Sequence, residues 1–369
     1  MSEQIKDNRQ TLWEIARVFL RLGIFAFGGP AAHIAMMEDE IVNKRKWVSK
    51  EKFIDLLGFT NLIPGPNSTE MAIHLGYARG GRLGLLIAGS CFILPAMFIV
   101  LVFAVLYQTY GSIPSVGNIL DGIKQVIIAV VAQALFRLAM TIIKKGDVAL
   151  IAAAVLAASL LGVSEIPLLA GAGLLMLLIR QVQSREKPTL QAVDPISLSV
   201  LFLVFLKIGA VLYGSGYVLL AFLRTEFVER YGVLTEQQLI DAVAVGQFTP
   251  GPVFTTATFI GYVIHGFPGA ILATVGIFLP SFLFVLLLSP LLEKMRSSRL
   301  VSNVLDGVNG ASIALMAAVL GQLGVAALVS IPAVIIFVVS AVLLIGYKVN
   351  STWLILGGGV IGYVMSLIG

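Results

Sequence analysis

The chain has 369 residues, of which 58% are hydrophobic and 12% are charged, and its net charge is +5. Because soluble domains have about 25% charged residues, this composition excludes a soluble protein and predicts one that crosses a membrane many times. A single cysteine and three widely separated histidines exclude an internal disulfide and a cysteine or histidine metal site, so we expect no metal and no cofactor.

The first apolar segment, residues 12–37, carries several charged side chains, among them Arg21. No small-residue cleavage pattern follows it, so we expect no cleavable signal peptide. A charge inside a membrane span is costly and is usually functional, which makes Arg21 a candidate ligand for an anion. The alternative is that Arg21 reaches the membrane interface or pairs with an acid such as Glu14 or Glu40.

The second segment, residues 53–77, is interrupted by Pro64, Gly65 and Pro66. Proline lacks the N–H of a helical hydrogen bond, so this motif should end one helix and allow another to begin. Each piece has 11 residues, or about 16 Å of helix, whereas the hydrocarbon core of a membrane is about 30 Å thick. The segment therefore crosses once as a broken helix, or enters and leaves on one side as a re-entrant hairpin.

Four more apolar stretches complete this pattern, which the chain then repeats. The stretches are residues 83–107, 119–143, 148–162 and 166–179, and their later counterparts are 268–292, 304–329, 331–347 and 353–368. A shift of 186 residues, or 185 after one gap, superimposes the two copies and their Pro-Gly-Pro motifs. We therefore predict a first repeat at residues 1–182, a polar linker at 183–195 and a second repeat at 196–369.

Lysine and arginine residues help to choose between a crossing and a hairpin, because short cytoplasmic loops carry an excess of both. With re-entrant hairpins most basic loop residues are cytoplasmic, whereas with crossing segments they divide almost evenly. The chain is then an all-α polytopic membrane protein with two inverted-topology repeats, about ten transmembrane helices and two re-entrant Pro-Gly-Pro hairpins. We expect a cytoplasmic linker, both termini outside, contact with membrane lipid, and no nucleic-acid partner. Inverted repeats with broken helices are typical of secondary transporters.

Hydrogen-bond donors gather at the two predicted hairpin tips. A helix that begins at a tip directs backbone N–H groups towards it, and such helix N-termini bind anions. The candidate anion ligands are Asn61, Gly65, Asn67, Ser68 and Thr69 at the first tip, and Gln247, Thr249, Gly251, Thr255 and Thr256 at the second. The alternative is that these side chains only cap the half-helices.

Charged residues add further candidates. Lys207 occupies the repeat position of Arg21, so the two would form a cationic pair around an anion. Glu70 follows the first tip and either carries a coupling proton or pairs with Arg79 or a lysine, and we favour the ion pair. Two more acids at equivalent repeat positions are candidates for coupling or ion pairing: Glu40 and Glu226.

These motifs resemble the chromate ion transporter (CHR) family over essentially the whole chain, in its long two-domain form. The resemblance rests on FAFGGPAAHIAMMEDEIV, on NLIPGPNSTEMAIHLGYARGGRLGLLIAGSCFILP and on the later FTPGPVFTTATFIGYVIHGFPGAILATVGIFLP. It implies export of chromate through the inner membrane, with sulfate as a structural analogue. The second repeat has Gly-Ser-Gly in place of Gly-Gly-Pro and Gln247 in place of Asn61, so the two tips need not contact substrate equally.

Alternatives to chromate export are sulfate or another anion as cargo, an anion channel, and a membrane-embedded enzyme. An intramembrane hydrolase would need a serine–histidine pair, paired aspartates or a metal constellation inside the spans. The sequence offers none of these, so we expect a transporter and not an enzyme. Assembly into a homodimer is left open.

Overall fold

In the part of the chain that it describes, the computed structural model has helices as its regular secondary structure. It describes residues 2–26, 29–60, 63–111, 114–142, 146–160, 168–169, 171–172, 175, 196–212, 218–288, 299–347, 349 and 351–368. In this part of the chain the prediction of an all-α protein is confirmed. The predicted linker at 183–195 and most of the predicted stretch at 166–179 lie outside the described residues.

Thirteen α-helices lie in the described residues. They are α1 (Ser2–Phe25), α2 (Gly29–Met37), α3 (Lys50–Thr60), α4 (Asn67–Tyr110), α5 (Pro114–Ile142), α6 (Gly146–Leu160), α7 (Leu198–Val211), α8 (Leu219–Leu223), α9 (Glu236–Phe248), α10 (Thr256–Leu288), α11 (Arg299–Ala327), α12 (Ile331–Ile345) and α13 (Ser351–Ile368). Several of these helices follow the predicted apolar stretches within a few residues, among them α6, α12 and α13.

The first segment of each repeat, whose glycines allow close backbone approach or a second break, is broken. In the first repeat α1 ends at Phe25 and α2 begins at Gly29, and in the second α7 ends at Val211 and α8 begins at Leu219. Both breaks contain glycines, which destabilise a helix. The motif residues at 27–28 and 213–217 lie outside the described part of the chain.

The Pro-Gly-Pro motifs separate helices as predicted. In the first repeat α3 ends at Thr60 and α4 begins at Asn67. In the second repeat α9 ends at Phe248, and a single 3-10 turn, Val253–Thr255, precedes α10.

A reversal divides α4 into two antiparallel helices. The backbone leaves helical geometry at Gly80 (φ −135°, ψ 20°) and Gly81 (φ 59°, ψ −148°). Across the reversal Gly76 lies against Gly84, where a side chain on either residue would overlap the other's carbonyl oxygen. The chain therefore runs from the first tip to Gly81 and then turns back beside itself.

The second repeat reverses in the same way inside α10. His265 (φ −136°, ψ 22°) and Gly266 (φ 60°, ψ −148°) adopt nearly the same angles as the first pair, and Gly261 lies against Gly269. π-Helical turns are duplicated as well, at Glu38–Lys44 after α2 and at Arg224–Arg230 after α8. The two repeats therefore share their local irregularities as well as their sequence pattern.

Two compact units make up the chain, and each takes segments from both repeats. The first contains Met1–Thr109, Leu198–Gly216 and Val245–Glu293, and the second contains Tyr110–Ser197, Tyr217–Ala244 and Lys294–Gly369. The core of the first unit includes Phe19, Phe53 and Phe92, all nearly inaccessible. In the second unit α5 packs against α12 and α13, and Lys124 is buried beside Asp121, at 2.5 Å, and Asp241, at 3.7 Å.

Several helices have the length and composition of membrane spans. Within the described residues three helical stretches contain an apolar window long enough to cross: Asn67–Tyr110 and Val253–Leu288, which reverse at Gly81 and Gly266, and Asp306–Val325. Four shorter apolar helices accompany them: Val148–Ser159, Leu198–Val211, Ile331–Ile345 and Trp353–Met365. The figure of about ten crossings and the re-entrant course of the hairpins remain predictions.

Candidate functional site

The two Pro-Gly-Pro tips and the two broken helices meet in the first unit through a pair of equivalent hydrogen bonds. Gly65 N–H donates to the Leu212 carbonyl oxygen at 2.8 Å, and Gly251 N–H donates to the Ala26 carbonyl oxygen at 3.0 Å. Leu212 directly follows α7 and Ala26 directly follows α1. Each tip is therefore bonded to the break in the first segment of the other repeat.

Both tip glycines have backbone angles that other residues rarely adopt. The φ angle is 135° at Gly65 and 84° at Gly251. These conformations turn each N–H towards the broken helix of the other repeat, and only glycine adopts them without strain. A side chain at Gly65 would also overlap the Glu70 carboxyl group and the Ser281 hydroxyl.

The first tip leads into the start of α4, which is buried. Thr69 N–H and Glu70 N–H both donate to the Pro66 carbonyl oxygen, at 2.8 and 3.0 Å. Ser68, Thr69 and Glu70 are 0–2% exposed. Within the described residues neither Thr69 Oγ1 nor Glu70 Oε2 has a hydrogen-bond partner. Buried polar atoms without partners are rare, so this tip has hydrogen-bonding capacity for a ligand.

His33, which the sequence offered only as a possible metal ligand, connects the first tip to the end of α1. His33, on α2, is 1% exposed, and its Nε2 lies 3.0 Å from the Ala26 carbonyl oxygen. A carbonyl oxygen only accepts, so Nε2 carries a hydrogen, and in the neutral ring Nδ1 accepts from the Ser68 hydroxyl at 3.3 Å. The sequence does contain a sign of this role: His33 is a polar residue in an apolar segment, and its counterpart in the second repeat is Leu219.

The second tip differs because its hydroxyl groups are already used. The side chains of Thr249, Thr255 and Thr256 each donate to a nearby backbone carbonyl, those of Gly246, Pro252 and Val253. At this tip the capping interpretation describes the threonines well. Gln247 is half-buried near the end of α9.

The two tips also differ in the groups behind them. Glu70 Oε1 accepts from the Ser281 hydroxyl of α10 at 3.3 Å. The repeat positions of these residues hold Thr256 and Ala96, and Ala96 lies against Gly251. The carboxyl–hydroxyl pair therefore belongs to the first tip alone.

The predicted ion pair between Glu70 and Arg79 is wrong. Arg79 Nη2 lies 3.3 Å from Glu14 Oε2, and Arg45 binds the other oxygen of Glu14 at 2.8 Å. The Arg79 guanidinium also lies over the Trp47 ring, 5.4 Å from its centroid. Glu70 points the other way, towards Gly65 and Ser281, because it lies on the first turn of α4.

The other two candidate acids are in ion pairs within the π-helical turns. Glu40 Oε1 accepts from Arg45 Nε at 2.9 Å, and Glu226 Oε2 accepts from Arg230 Nη1 at 3.2 Å. Their backbone carbonyls also close equivalent turns, by accepting from Arg45 N–H and Tyr231 N–H. Of the alternatives for these acids, coupling or ion pairing, the structure shows the ion pairs.

Arg21 and Lys207 are placed differently from each other. Arg21 is exposed, makes no hydrogen bond or salt bridge within the described residues, and opens onto a cavity of about 250 Å³ that Asp39 and Lys44 also line. Lys44 hydrogen-bonds to Asp39 at 2.6 Å and lowers the pKa of that carboxyl group. Lys207 is half-buried on α7. Their role as a cationic pair remains a prediction.

Two further points complete the comparison with the predicted ligands. Asn61 lies outside the described residues. Asn67 is half-buried at the first residue of α4, so of the first-tip candidates the structure places Gly65, Asn67, Ser68 and Thr69 together. Among the residues that the structure describes, no three histidine, cysteine, aspartate or glutamate side chains gather as metal ligands.

The duplicated helical pattern, the candidate spans and the paired tips define a membrane protein built from two related halves. The model of the chromate transporter family matches this chain twice, at residues 13–177 and 199–363. The chain belongs to the chromate transporter family, and it is therefore a transporter and not an enzyme. The two matched stretches are 186 residues apart, in agreement with the internal repeat.

Curated relatives match along almost the full length of the chain. A chromate transport protein of Cupriavidus metallidurans is 30% identical over 96% of this chain and 93% of its own. A chromate transport protein of Pseudomonas aeruginosa is 30% identical over 94% and 91%, and a probable chromate transport protein of Synechococcus elongatus is 30% identical over 90% and 89%. No solved structure is significantly similar.

Proposed function

We propose that this chain exports chromate from the cytoplasm across the inner membrane by alternating access, with the first tip as the main oxyanion site. Relatives named as chromate transport proteins at 30% identity support the substrate. The observation that carries the site is the buried Thr69 hydroxyl without a partner at the start of α4. Chromate is a tetrahedral dianion, and such anions bind at helix N-termini through N–H and O–H donors.

The first tip suits an oxyanion better than the second. The helix that begins at Asn67 has 13 residues before Gly80, so its N-terminal N–H groups and their dipole point into the tip. Asn67 and Thr69 add side-chain donors there, whereas the Ser68 hydroxyl donates to His33 Nδ1. At the second tip the threonine hydroxyls donate to carbonyls, so an anion would have to displace those bonds.

The proposed membrane arrangement is that of the sequence analysis: inverted repeats at residues 1–182 and 196–369, a cytoplasmic linker at 183–195, re-entrant hairpins and both termini outside. The duplicated breaks, π-helical turns and reversals support the two repeats. The exchange of hydrogen bonds between tips and broken helices supports a site where the repeats meet, as in other inverted-repeat transporters.

Thr69 and Thr255 give a matched test, because they are repeat counterparts with different hydroxyl partners. Thr69→Ala should weaken chromate binding about tenfold or more, since a hydrogen bond to a charged group contributes about 1.5–3 kcal/mol. Thr255→Ala removes only a bond to a carbonyl and should leave affinity nearly unchanged. Chromate binding to purified protein and chromate flux in proteoliposomes measure both. Equal losses in the two variants would refute a dominant first tip.

Chromate as cargo is tested in cells and by competition. Cells with and without the protein should differ in chromate accumulation and resistance, and no difference would refute chromate export. Sulfate is the second candidate cargo, because hydroxyl and backbone donors at the tip bind tetrahedral dianions in general. Flux with chromate, sulfate and molybdate side by side ranks the three oxyanions.

A further inference from the structure

Glu70 is an acid at the position where the proposed oxyanion would bind. It lies on the first turn of α4, three residues after Asn67, and it is 0% exposed. Its Oε1 is occupied by the Ser281 hydroxyl at 3.3 Å, and its Oε2 has no hydrogen-bond partner within the described residues. A charged carboxylate here would repel a dianion at the same tip, whereas a neutral carboxylic acid has an O–H that donates.

The fold of a tip does not require this acid. At the second tip Thr256 takes the position of Glu70, donates to the Val253 carbonyl oxygen and completes an equivalent turn. Ala96 takes the position of Ser281, so the hydroxyl is missing together with the acid. Glu70 and Ser281 are thus present only at the first tip, where Thr69 Oγ1 also has no hydrogen-bond partner among the described residues.

Other ionisable side chains lie on the elements around the first tip. Among them are His33 on α2, His74 on α4, Arg21 on α1 and Lys207 on α7, and the same elements also carry Glu14, Arg17, Arg79, Arg82, Tyr262 and His265. α10 contributes Ser281, which does not ionise in this range. Of these histidines His33 is bonded to Ser68, two residues before Glu70, so it is the competing proton site that the test must separate.

We propose that Glu70 binds the oxyanion as a neutral carboxylic acid, so that one proton binds and moves with each anion. Ser281 donates to Oε1, which leaves the proton on Oε2 to be donated to an oxygen of the anion. The proton comes from water on the side to which the site is open, and it leaves to water when the anion is released. This inference rests on the proposed oxyanion site, and each chromate dianion then moves with one negative charge fewer.

The test measures proton uptake directly. Purified full-length protein is titrated with chromate by calorimetry in buffers of different ionisation enthalpy, over a series of alkaline pH values where chromate is already the dianion. Burial favours the neutral acid, so wild type should take up a proton with the anion only as the pH rises far enough to ionise Glu70 in the free protein, approaching one proton per anion. Glu70→Gln keeps a donor of the same shape but cannot ionise, so it should bind within about threefold of wild type with no proton uptake. His33→Gln should keep the proton uptake.

The outcomes separate this inference from the proposed function. If wild type binds no oxyanion, the proposed site fails, whereas binding without proton uptake over the whole pH series overturns only the role of Glu70. Proton uptake that persists in Glu70→Gln, or disappears in His33→Gln, also overturns it. If Glu70→Gln is misfolded, Ser281→Ala serves as the second variant. It should bind chromate more weakly with unchanged proton uptake. Loss of proton uptake in folded Ser281→Ala would count against the proposal.

Discussion

Substitution of His33 with leucine should lower the stability of the first unit. The second repeat has Leu219, 2% exposed, at this position, so the substitution introduces a residue that the other half of the fold accommodates. It removes two hydrogen bonds, to the Ala26 carbonyl oxygen at 3.0 Å and to the Ser68 hydroxyl at 3.3 Å. It also removes the edge contact of the imidazole with the Phe92 ring, whose centroid lies 5.5 Å away.

The expected magnitude follows from these bonds. Each contributes about 0.5–1.5 kcal/mol net, so His33→Leu should lower the free energy of unfolding by about 2 kcal/mol. The Ala26 carbonyl oxygen keeps its bond from Gly251 N–H, so the exchange between tip and broken helix survives.

Two further variants each keep one of the two His33 hydrogen bonds. The amide of His33→Gln can reach the place of Nε2, and that of His33→Asn the place of Nδ1, so each should retain about half of the lost free energy. Unfolding of the purified protein in mild detergent, followed by denaturant titration, measures all three variants against wild type. A change below about 0.5 kcal/mol in His33→Leu would refute the assigned bonds, as would equal losses in all three variants.

Two further predictions concern the repeat architecture. In a Cys91→Ala background, single cysteines placed in the linker at 183–195 should react with membrane-impermeant maleimide only from the cytoplasmic side. Single cysteines near either terminus should react only from outside. The reverse pattern would refute the predicted orientation. Gly81→Ala and Gly266→Ala should each lower the free energy of unfolding by about 1–3 kcal/mol, because both glycines have φ near 60° and no atom lies within 4 Å of the added methyl group, so the cost is backbone strain alone. Denaturant titration would contradict this if only one of the two variants were affected.

Local chemistry allowed much of the fold to be predicted from the sequence. Proline and glycine fix where helices end, so the start of α4 after Pro66 and the broken course of each Pro-Gly-Pro segment follow from the motif itself. Repetition of the motif with one spacing predicted the two related halves, which the two family matches at residues 13–177 and 199–363 support. Apolar runs set the remaining helices.

The features that the sequence did not predict depend on tertiary contacts. The sequence places a break between the segments that end at 77 and begin at 83, but the backbone contact between Gly76 and Gly84 that closes the reversal there has no local signal. Ser281 binds Glu70 from 211 positions away in the chain, so no local pattern connects them, and the charge of Glu70 suggested a basic partner.

The difference between the tips explains how one site can arise from two similar halves. At both tips a glycine N–H is committed to the break of the other repeat, so neither tip can offer that donor to a ligand without separating from its partner helix. At the second tip the hydroxyls of Thr255 and Thr256 are committed as well, which makes this tip a structural element. At the first tip Thr69 Oγ1 and Glu70 Oε2 remain available. Substitutions that give the first tip the residues of the second, Glu70→Thr with Ser281→Ala, should therefore preserve the fold and remove the proton linkage of binding.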